Sequence, residues 1–325
     1  MKPARATEIV NTLPHRKQAA LKKDFTAVKG RLTLDFNHAA RPRAPDHPIT
    51  LWNKFIPLTP QQAAAVLGRD LPPETTFTFK AMDEDGDGDL DIVAPKKEGE
   101  RGNRFEQNQS FYFSKKALDS GVSHVDAAYQ QKSFARTIYR NQIEFFHACG
   151  IRKFFLYATL GNGAYTWARL GFLPVDVKDD GFKRTVITPA RKRYDAIKSI
   201  LPPEEQKTLE SALKFRQRTD LWRLVDTKTD LRPFLKREDF DRQGKIYDQI
   251  AKNSGVIEAM KICKALRDIY DIAVERNVPL KAGRLLMAGL SWDAELDLTN
   301  VSQMRRVGEY TGGWKHIRLQ PPAHS

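Results

Sequence analysis

The sequence changes its hydrophobic period near Gln130, and this change constrains the fold more than any other feature. Before that point, short segments alternate apolar and polar residues, which is typical of strands. These segments are Arg31–Phe36, Thr76–Met82, Leu90–Val93, Gln109–Ser114 and Gly121–Tyr129. From Lys132 to Cys149, apolar residues recur every three or four positions, which predicts a helix that stops at Gly150. Strands followed by helices predict an α+β fold.

Two further elements complete a βαβ-like unit after this helix. The apolar segment Lys153–Thr159 predicts a strand, and Gly163–Leu170 predicts a short helix. We therefore expect a mixed, mostly antiparallel sheet with flanking helices. A basic stretch without acids, residues 183–193, marks a domain boundary. We expect a basic N-terminal arm over residues 1–30, an α+β domain over 31–182 and a mainly helical region over 183–325.

Composition favours a folded, basic protein. Hydrophobic residues make up 41% of the 325 positions, which is enough for a core and excludes a disordered chain. The 54 Lys and Arg residues against 40 Asp and Glu give a net charge of +14. Two cysteines exclude a disulfide framework. Because no run of 18 apolar residues occurs and the N-terminus lacks an apolar segment, we expect neither membrane insertion nor a secretory signal.

The positive charge is concentrated in the two flanks. Residues 1–30 contain seven basic and two acidic residues, and residues 183–318 contain 28 basic and 19 acidic residues. The middle of the chain has 19 of each and is formally neutral. We therefore expect a polyanion, either nucleic acid or an acidic protein, to contact the flanks. The alternative is that the flanks are solvated helix faces.

The segment Tyr129–Arg136 connects a predicted strand to a predicted helix and suggests an anion site. The first N–H groups of a helix have no partners within the helix, and the helix dipole adds positive potential there. Lys132 and Arg136 add charge at the same place. The alternative is an exposed connection with no ligand.

This segment resembles the cofactor loop of the GNAT superfamily of N-acetyltransferases, whose form is Gln/Arg-x-x-Gly-x-Gly/Ala. Gln130–Ala135 occupies the corresponding position. About thirty residues later, Asn162–Phe172 resembles the second signature of the family, in which an Asn precedes a short helix that ends in Gly-Phe. The amino-acid sequence of that segment also resembles a GNAT-like subgroup found in bacterial and phage-associated proteins.

The resemblance implies that acetyl-CoA, or another acyl-CoA, is the acyl donor. It places the pyrophosphate on the amides of the loop and of the first helical turn, and the pantetheine arm along the strand near Val125. The thioester then points toward the strand that contains Phe154–Ala158. The implied cofactor-binding residues are Val125, Gln130, Gln131, Lys132, Ser133, Phe134, Ala135, Arg136 and Asn162.

Two positions depart from the family pattern. Ser133 replaces the first loop Gly, which normally lets the backbone approach a phosphate closely. Trp167 stands where a Tyr often protonates the departing thiolate, and an indole N–H is not a usable acid. The nearest phenol is Tyr165, although a separation of two residues puts it on another helix face.

The base that accepts the proton of the amine is expected among three residues on two strands. His124 and Asp126 alternate on one strand and therefore share a face, and Glu106 precedes the neighbouring strand. His124 is the better base near neutral pH. The alternative for His124 is a half-buried, hydrogen-bonded structural role.

The chain is therefore expected to transfer an acetyl group to an amine, with Tyr165 as a further catalytic candidate. The competing hypothesis is a non-catalytic GNAT-like module of a phage particle or a delivered effector, which contacts nucleic acid or protein through its basic flanks. The expected location is the bacterial cytoplasm or a phage particle.

An acidic turn provides a separate candidate for metal binding. Asp83, Asp85, Asp87 and Asp91 match the start of a calcium loop, in which alternating carboxylates face one hard cation. The position of the bidentate Glu is occupied by Ala94, and the flanking segments are predicted strands. A structural calcium ion and an exposed acidic turn are both compatible with this pattern.

Overall fold

The computed structural model describes residues 23–24, 26–28, 30–35, 47–83, 85–95, 102–125, 134–158, 163–176 and 180–312. The chain divides into two compact units. The first comprises Met1–Phe155 with Asp297–Ser325, and the second comprises Leu156–Leu296. The domain boundary expected at residue 183 stays a prediction.

The described residues contain eight strands, most of which pair in antiparallel fashion. They are β1 Leu32–Asp35, β2 Thr76–Lys80, β3 Gly88–Pro95, β4 Asn103–Tyr112, β5 Ala117–Val125, β6 Lys153–Ala158, β7 Leu173–Pro174 and β8 Trp292–Asp297. Their order in the sheet is β1-β2-β3-β4-β5-β6-β8-β7. β1 is parallel to β2, whereas the β2–β3, β3–β4, β4–β5 and β7–β8 pairs are antiparallel. The expectation of a mixed, mostly antiparallel sheet is confirmed.

Eleven α-helices of at least five residues accompany these strands in the described part of the chain. They are α1 His47–Phe55, α2 Pro60–Leu67, α3 Phe134–Ala148, α4 Gly163–Leu170, α5 Thr188–Ile197, α6 Pro203–Ala212, α7 Asp220–Val225, α8 Lys245–Ser254, α9 Val256–Glu275, α10 Ala282–Leu286 and α11 Val301–Thr311. A π-helical stretch, Lys183–Ile187, precedes α5. None of the helices with described residues is long and apolar enough to cross a lipid bilayer.

The core of the first unit lies between the sheet and α1, α2 and α3. In β2 the alternating residues Phe77 and Phe79 are buried, as period-two patterning predicts. The Phe79 ring meets the rings of Trp52 from α1 at 5.2 Å and of Phe145 from α3 at 5.7 Å between centroids. These aromatic contacts join one strand to two helices and fix the layer.

Helix α3 is buried on nearly all sides. Nine consecutive residues from Ile138 to Phe146 are buried, including the polar residues Arg140, Asn141, Gln142 and Glu144. A buried polar side chain is stable only when it is hydrogen-bonded. The turn after α2 supplies partners, because the Asn141 amide donates to the carbonyls of Leu67 and Arg69. Arg69 also forms an ion pair with Glu144.

Helix α9 of the second unit buries a different face from the one that its apolar residues predict. Met260, Cys263, Leu266, Tyr270 and Val274 recur at helical spacing on one stripe of an amphipathic helix, and this pattern predicts that the stripe is buried. Met260 and Val274 are instead 49% and 52% exposed. The buried residues are Ala259, Ile262, Cys263, Leu266, Ile269 and Ala273. Cys263 and Leu266 belong to both stripes. Met260 and Val274, near the two ends of the helix, are apolar but exposed, so the predicted face is rotated about the helix axis relative to the observed one.

Candidate functional site

The junction between β5 and α3 has the strand-to-helix form that the sequence predicted. β5 ends at Val125 and α3 begins at Phe134. The connecting residues, including Asp126 and Gln130–Ser133, lie outside the described residues, as does Asn162. For His124 and Val125, the description extends to the backbone only.

The first turn of α3 has the charge that an anion site requires. It contains no acidic residue. Arg136 is exposed, and its guanidinium lies over the Tyr310 ring at 5.0 Å from the centroid. The neighbouring Phe134 packs edge-on against Phe105 with centroids 5.8 Å apart. The helix dipole and Arg136 therefore add positive potential at the same end of α3, with no acid in that turn to oppose it.

A buried polar network fixes α3 against β4 and β5. The Gln107 amide donates to Ser120 Oγ at 3.0 Å and to the Tyr139 hydroxyl at 3.1 Å. The Gln142 amide donates to Gln107 Oε1 at 2.7 Å, and the Gln109 amide donates to Gln142 Oε1 at 3.0 Å. Because the members of such a network hold one another in place, the start of α3 is held relative to β5.

Sequence reasoning missed this network, although it left a signal. Gln107 and Gln109 lie two residues apart on one strand, and both are almost fully buried. Buried glutamines two residues apart occupy positions where an apolar residue is usual, so they indicate a partner across the layer.

The catalytic candidates lie in different parts of the chain. Glu106 is exposed on β4 and accepts a hydrogen bond from the Asn103 side chain. The β4–β5 register places His124 directly opposite Glu106. Tyr165 belongs to α4 in the second unit, where it is 7% exposed and carries the Arg169 guanidinium 5.8 Å from its ring centroid.

Trp167 packs against a neighbouring aromatic ring. Its ring meets the Phe172 ring edge-on at 5.3 Å between centroids. This contact joins α4 to the residue that follows Gly171. Trp167 therefore contributes to the aromatic packing between α4 and the segment that follows it.

The acidic turn uses its carboxylates to hold its own backbone. Asp83 Oδ1 accepts the N–H groups of Asp85 and Asp87, each at 2.9 Å. Asp87 accepts the N–H and hydroxyl of Ser114 at 3.1 and 2.7 Å. These hydrogen bonds stabilise the turn. They account for Asp at positions 83 and 87 even if the turn binds no metal ion.

Asp91 is also bound to protein groups. It accepts a hydrogen bond from the Asn108 amide at 2.7 Å and forms an ion pair with Lys80. The hydrogen bond between Lys80 and Asp91 holds the pKa of Lys80 above its ordinary value. Among the described residues, no group of three or more His, Cys, Asp or Glu side chains is placed to hold a metal ion. Calcium binding at this turn stays a prediction.

Comparison with known proteins returned no match. No family model fits the chain, and no curated protein or solved structure is significantly similar to it. The functional assignment therefore depends on the residues and their geometry.

Proposed function

We propose that the protein is a GNAT-like N-acyltransferase that moves an acetyl group from acetyl-CoA to an amine. The observation that carries this proposal is the first turn of α3. It follows β5 after a short connection, contains no acidic residue and exposes Arg136. A helix start with this charge is suited to the pyrophosphate of a CoA thioester.

The sheet supports the same proposal. β5 and β6 are neighbours in the strand order, and α3 connects them along the chain. In the proposed binding mode, the backbone at the end of β5 pairs with the pantetheine arm. The loop residues Gln130–Ser133 and the amides of Ala135 and Arg136 receive the phosphates.

The reaction itself requires an amine, a thioester and an acceptor for one proton. The amine nitrogen attacks the thioester carbonyl and forms the new carbon–nitrogen bond, the carbon–sulfur bond breaks so that CoA leaves as its thiolate, and the amine proton passes to a base. Glu106 and His124 are suited to that role because the strand register pairs them. Positioning of the amine against the thioester supplies most of the rate enhancement.

The buried anchorage of α3 also favours a phosphate-binding role. A helix start stabilises an anion only if its N–H groups keep their direction when the ligand binds. The ion pair between Arg69 and Glu144 and the hydrogen bonds of Asn141 hold α3 from one side. The Gln107 network holds it from the sheet.

Calorimetric titration with acetyl-CoA tests the proposal. We expect a dissociation constant of about 1–100 μM, and we expect Lys132→Glu with Arg136→Glu to weaken binding at least about 100-fold. The matched control is Lys261→Glu with Arg276→Glu, which makes the same charge change at two exposed positions in and directly after α9. Equal losses in both variants would attribute binding to net charge alone and contradict the proposed site.

The competing hypothesis makes a different prediction for the same protein. A non-catalytic module would show no acetyl-CoA binding at about 1 mM and would bind nucleic acid with an affinity that falls steeply with salt. Several basic residues of the helical region are already paired with acids, for example Arg218 with Glu295 and Arg267 with Asp241. The excess of basic over acidic residues in residues 183–318 is unchanged by such pairing, so acetyl-CoA binding and the salt dependence of nucleic-acid binding decide between the two hypotheses. The bacterial cytoplasm or a phage particle remains the proposed location.

A further inference from the structure

A concave site lies at the opposite end of α3 from the proposed acyl-CoA loop. It is a cleft of about 790 Å³ in the first unit. Its apolar lining is provided by Phe55, Phe113, Ile151, Leu298, Val301 and Met304. Because α3 has 15 residues, the two sites are separated by about 22 Å of helix.

The wall of the cleft is a packed aromatic pair. The rings of Phe55 and Phe113 stack with centroids 5.6 Å apart and planes 14° apart. The acidic turn supports this wall, because Gly86 has φ +83° and a Cβ at that position would come within 2.6 Å of the Phe55 ring. The bond between Asp87 and Ser114 ties the same turn to the segment that carries Phe113.

The floor of the cleft is held by backbone hydrogen bonds. The Lys116 carbonyl accepts the N–H groups of Arg152 at 2.8 Å and of Lys153 at 3.1 Å. The Arg152 carbonyl in turn accepts the Leu298 N–H at 2.7 Å. Three chain segments that are distant in sequence are therefore joined at the floor of the cleft.

The charge of the cleft is positive. Lys54, Lys116 and Arg152 line it, against the single acidic residue Asp85. Within the described part of the chain, the side chains of Lys116 and Arg152 make no ion pair or hydrogen bond. Two exposed cations that stand on a hydrogen-bonded backbone, and that have no ion-pair partner among the described residues, are suited to binding an anion beside an apolar wall.

The remaining polar groups of the cleft are neutral near pH 7. Burial lowers the pKa of His147 below its ordinary value, which favours the uncharged imidazole. Burial also raises the pKa of the Cys149 thiol far above its ordinary value, so the sulfur is a poor nucleophile. The cleft is therefore suited to binding rather than to covalent chemistry.

We propose that this cleft binds a small amphipathic anion, with a carboxylate or phosphate against Lys116 and Arg152 and an apolar body against the aromatic wall. The volume lies in the range of small-molecule sites, and the combination of apolar walls with a few fixed polar groups is typical of them. The separation along α3 makes this a site additional to the proposed acyl-CoA loop.

Titration of the full chain with matched naphthalene probes, followed by ligand-observed NMR, tests the proposal. The probes are 1-naphthoate, 1-naphthyl phosphate, the neutral 1-naphthamide and the cationic 1-naphthylmethylammonium. We expect at least one anion to bind with a dissociation constant below about 1 mM and at least about tenfold more tightly than the amide. The tighter of the two anions identifies the acidic group. Equal binding of anion, amide and cation, or no anion binding, would overturn the proposal.

Two variants locate the bound anion. Lys116→Gln with Arg152→Gln should weaken anion binding at least about tenfold, whereas Lys115→Gln should change it less than about twofold. Lys115 is the matched control because it is exposed in the same turn and its ammonium lies over the Tyr112 ring instead of lining the cleft. Equal effects in the control and in the cleft variant would refute the assignment.

A third variant tests the apolar part of the site without removing charge. Val301 lines the cleft and is 60% exposed, so Val301→Trp should obstruct the cleft while the melting temperature stays within about 2 °C. We expect anion binding to fall at least about fivefold. The Arg136→Glu variant should retain full naphthoate binding. This result would show that the two sites are independent, because loss of acetyl-CoA binding and loss of naphthoate binding are then separate outcomes.

Discussion

Asn141 provides the sharpest test of how α3 is held. It is fully buried, and its amide donates to the Leu67 carbonyl at 3.0 Å and to the Arg69 carbonyl at 2.7 Å. Asn141→Ala removes both hydrogen bonds, each worth about 1 kcal/mol, and leaves the buried Leu67 carbonyl unpaired at a cost of about 1–3 kcal/mol. We expect the free energy of unfolding of the first unit to fall by about 3 kcal/mol.

Urea unfolding with hydrogen exchange in peptides from α2 and α3 measures this change and assigns it to the first unit. The matched control is Asn108→Ala, because Asn108 is exposed on β4 and donates one hydrogen bond, to Asp91 at 2.7 Å. The control should lose less than about 1 kcal/mol. If Asn141→Ala also lost less than about 1 kcal/mol, the two carbonyls would have found other partners, and the anchoring role of Asn141 would be refuted.

Three further predictions concern local geometry and titration. Gly86→Ala should destabilise the protein by at least about 1 kcal/mol more than Gly102→Ala in thermal unfolding, since both have positive φ but only Gly86 meets a side chain within 4 Å. Burial raises the pKa of Cys263 to about 11, so its thiol should react at pH 8.5 at least about 100-fold more slowly in the folded than in the unfolded chain. Burial opposes ionisation of Asp230, but hydrogen bonds from Arg232 and the backbone hold its pKa below the ordinary value. Its stabilising effect is therefore present above about pH 4 and lost below it, and Asp230→Asn should flatten the fall in melting temperature between about pH 5 and 2.

β2 and α3, which have strong local signals, were predicted close to their observed bounds. Thr59 caps α2 and Gln62 completes a reciprocal capping box, so the start of this helix is set by residues three positions apart. The alternation in β2 and the period of α3 are likewise properties of short windows. Local chemistry fixes the existence and type of such elements with little help from the rest of the fold.

β4 was predicted too short for a tertiary reason. The pattern indicated Gln109–Ser114, whereas the strand is Asn103–Tyr112. Its buried face carries Gln107 and Gln109, and these residues break the apolar alternation that identifies a strand. Their partners Ser120, Tyr139 and Gln142 come from other elements. A short sequence window therefore could not show that the two glutamine side chains are buried in this strand.

The proposed acyl-CoA loop was accessible to sequence reasoning because its residues are contiguous, whereas the cleft was not. The residues that line the cleft come from α1, the turn after β4, the end of α3 and the start of α11. The acidic turn was interpreted as a possible calcium site, but it also supports the cleft wall through Gly86 and Asp87. The Asp and Gly residues identified the turn in the sequence. Only the tertiary structure shows that the turn contacts the wall of the cleft.

The two proposed anion sites use α3 in opposite ways, and this leads to the last prediction. At the start of the helix, backbone N–H groups and the dipole attract an anion, so Arg136 is one contributor among several. At the end of the helix the dipole is negative, so cationic side chains must supply the attraction in the cleft, and Lys116 and Arg152 are the two that the proposed binding mode uses. Neutral Arg136→Gln should therefore weaken acetyl-CoA binding by less than about fivefold, whereas Lys116→Gln with Arg152→Gln should remove the preference of the cleft for naphthoate over naphthamide altogether. Titration of both variants measures the contrast, and a retained naphthoate preference in the cleft variant would show that side-chain cations are not its source.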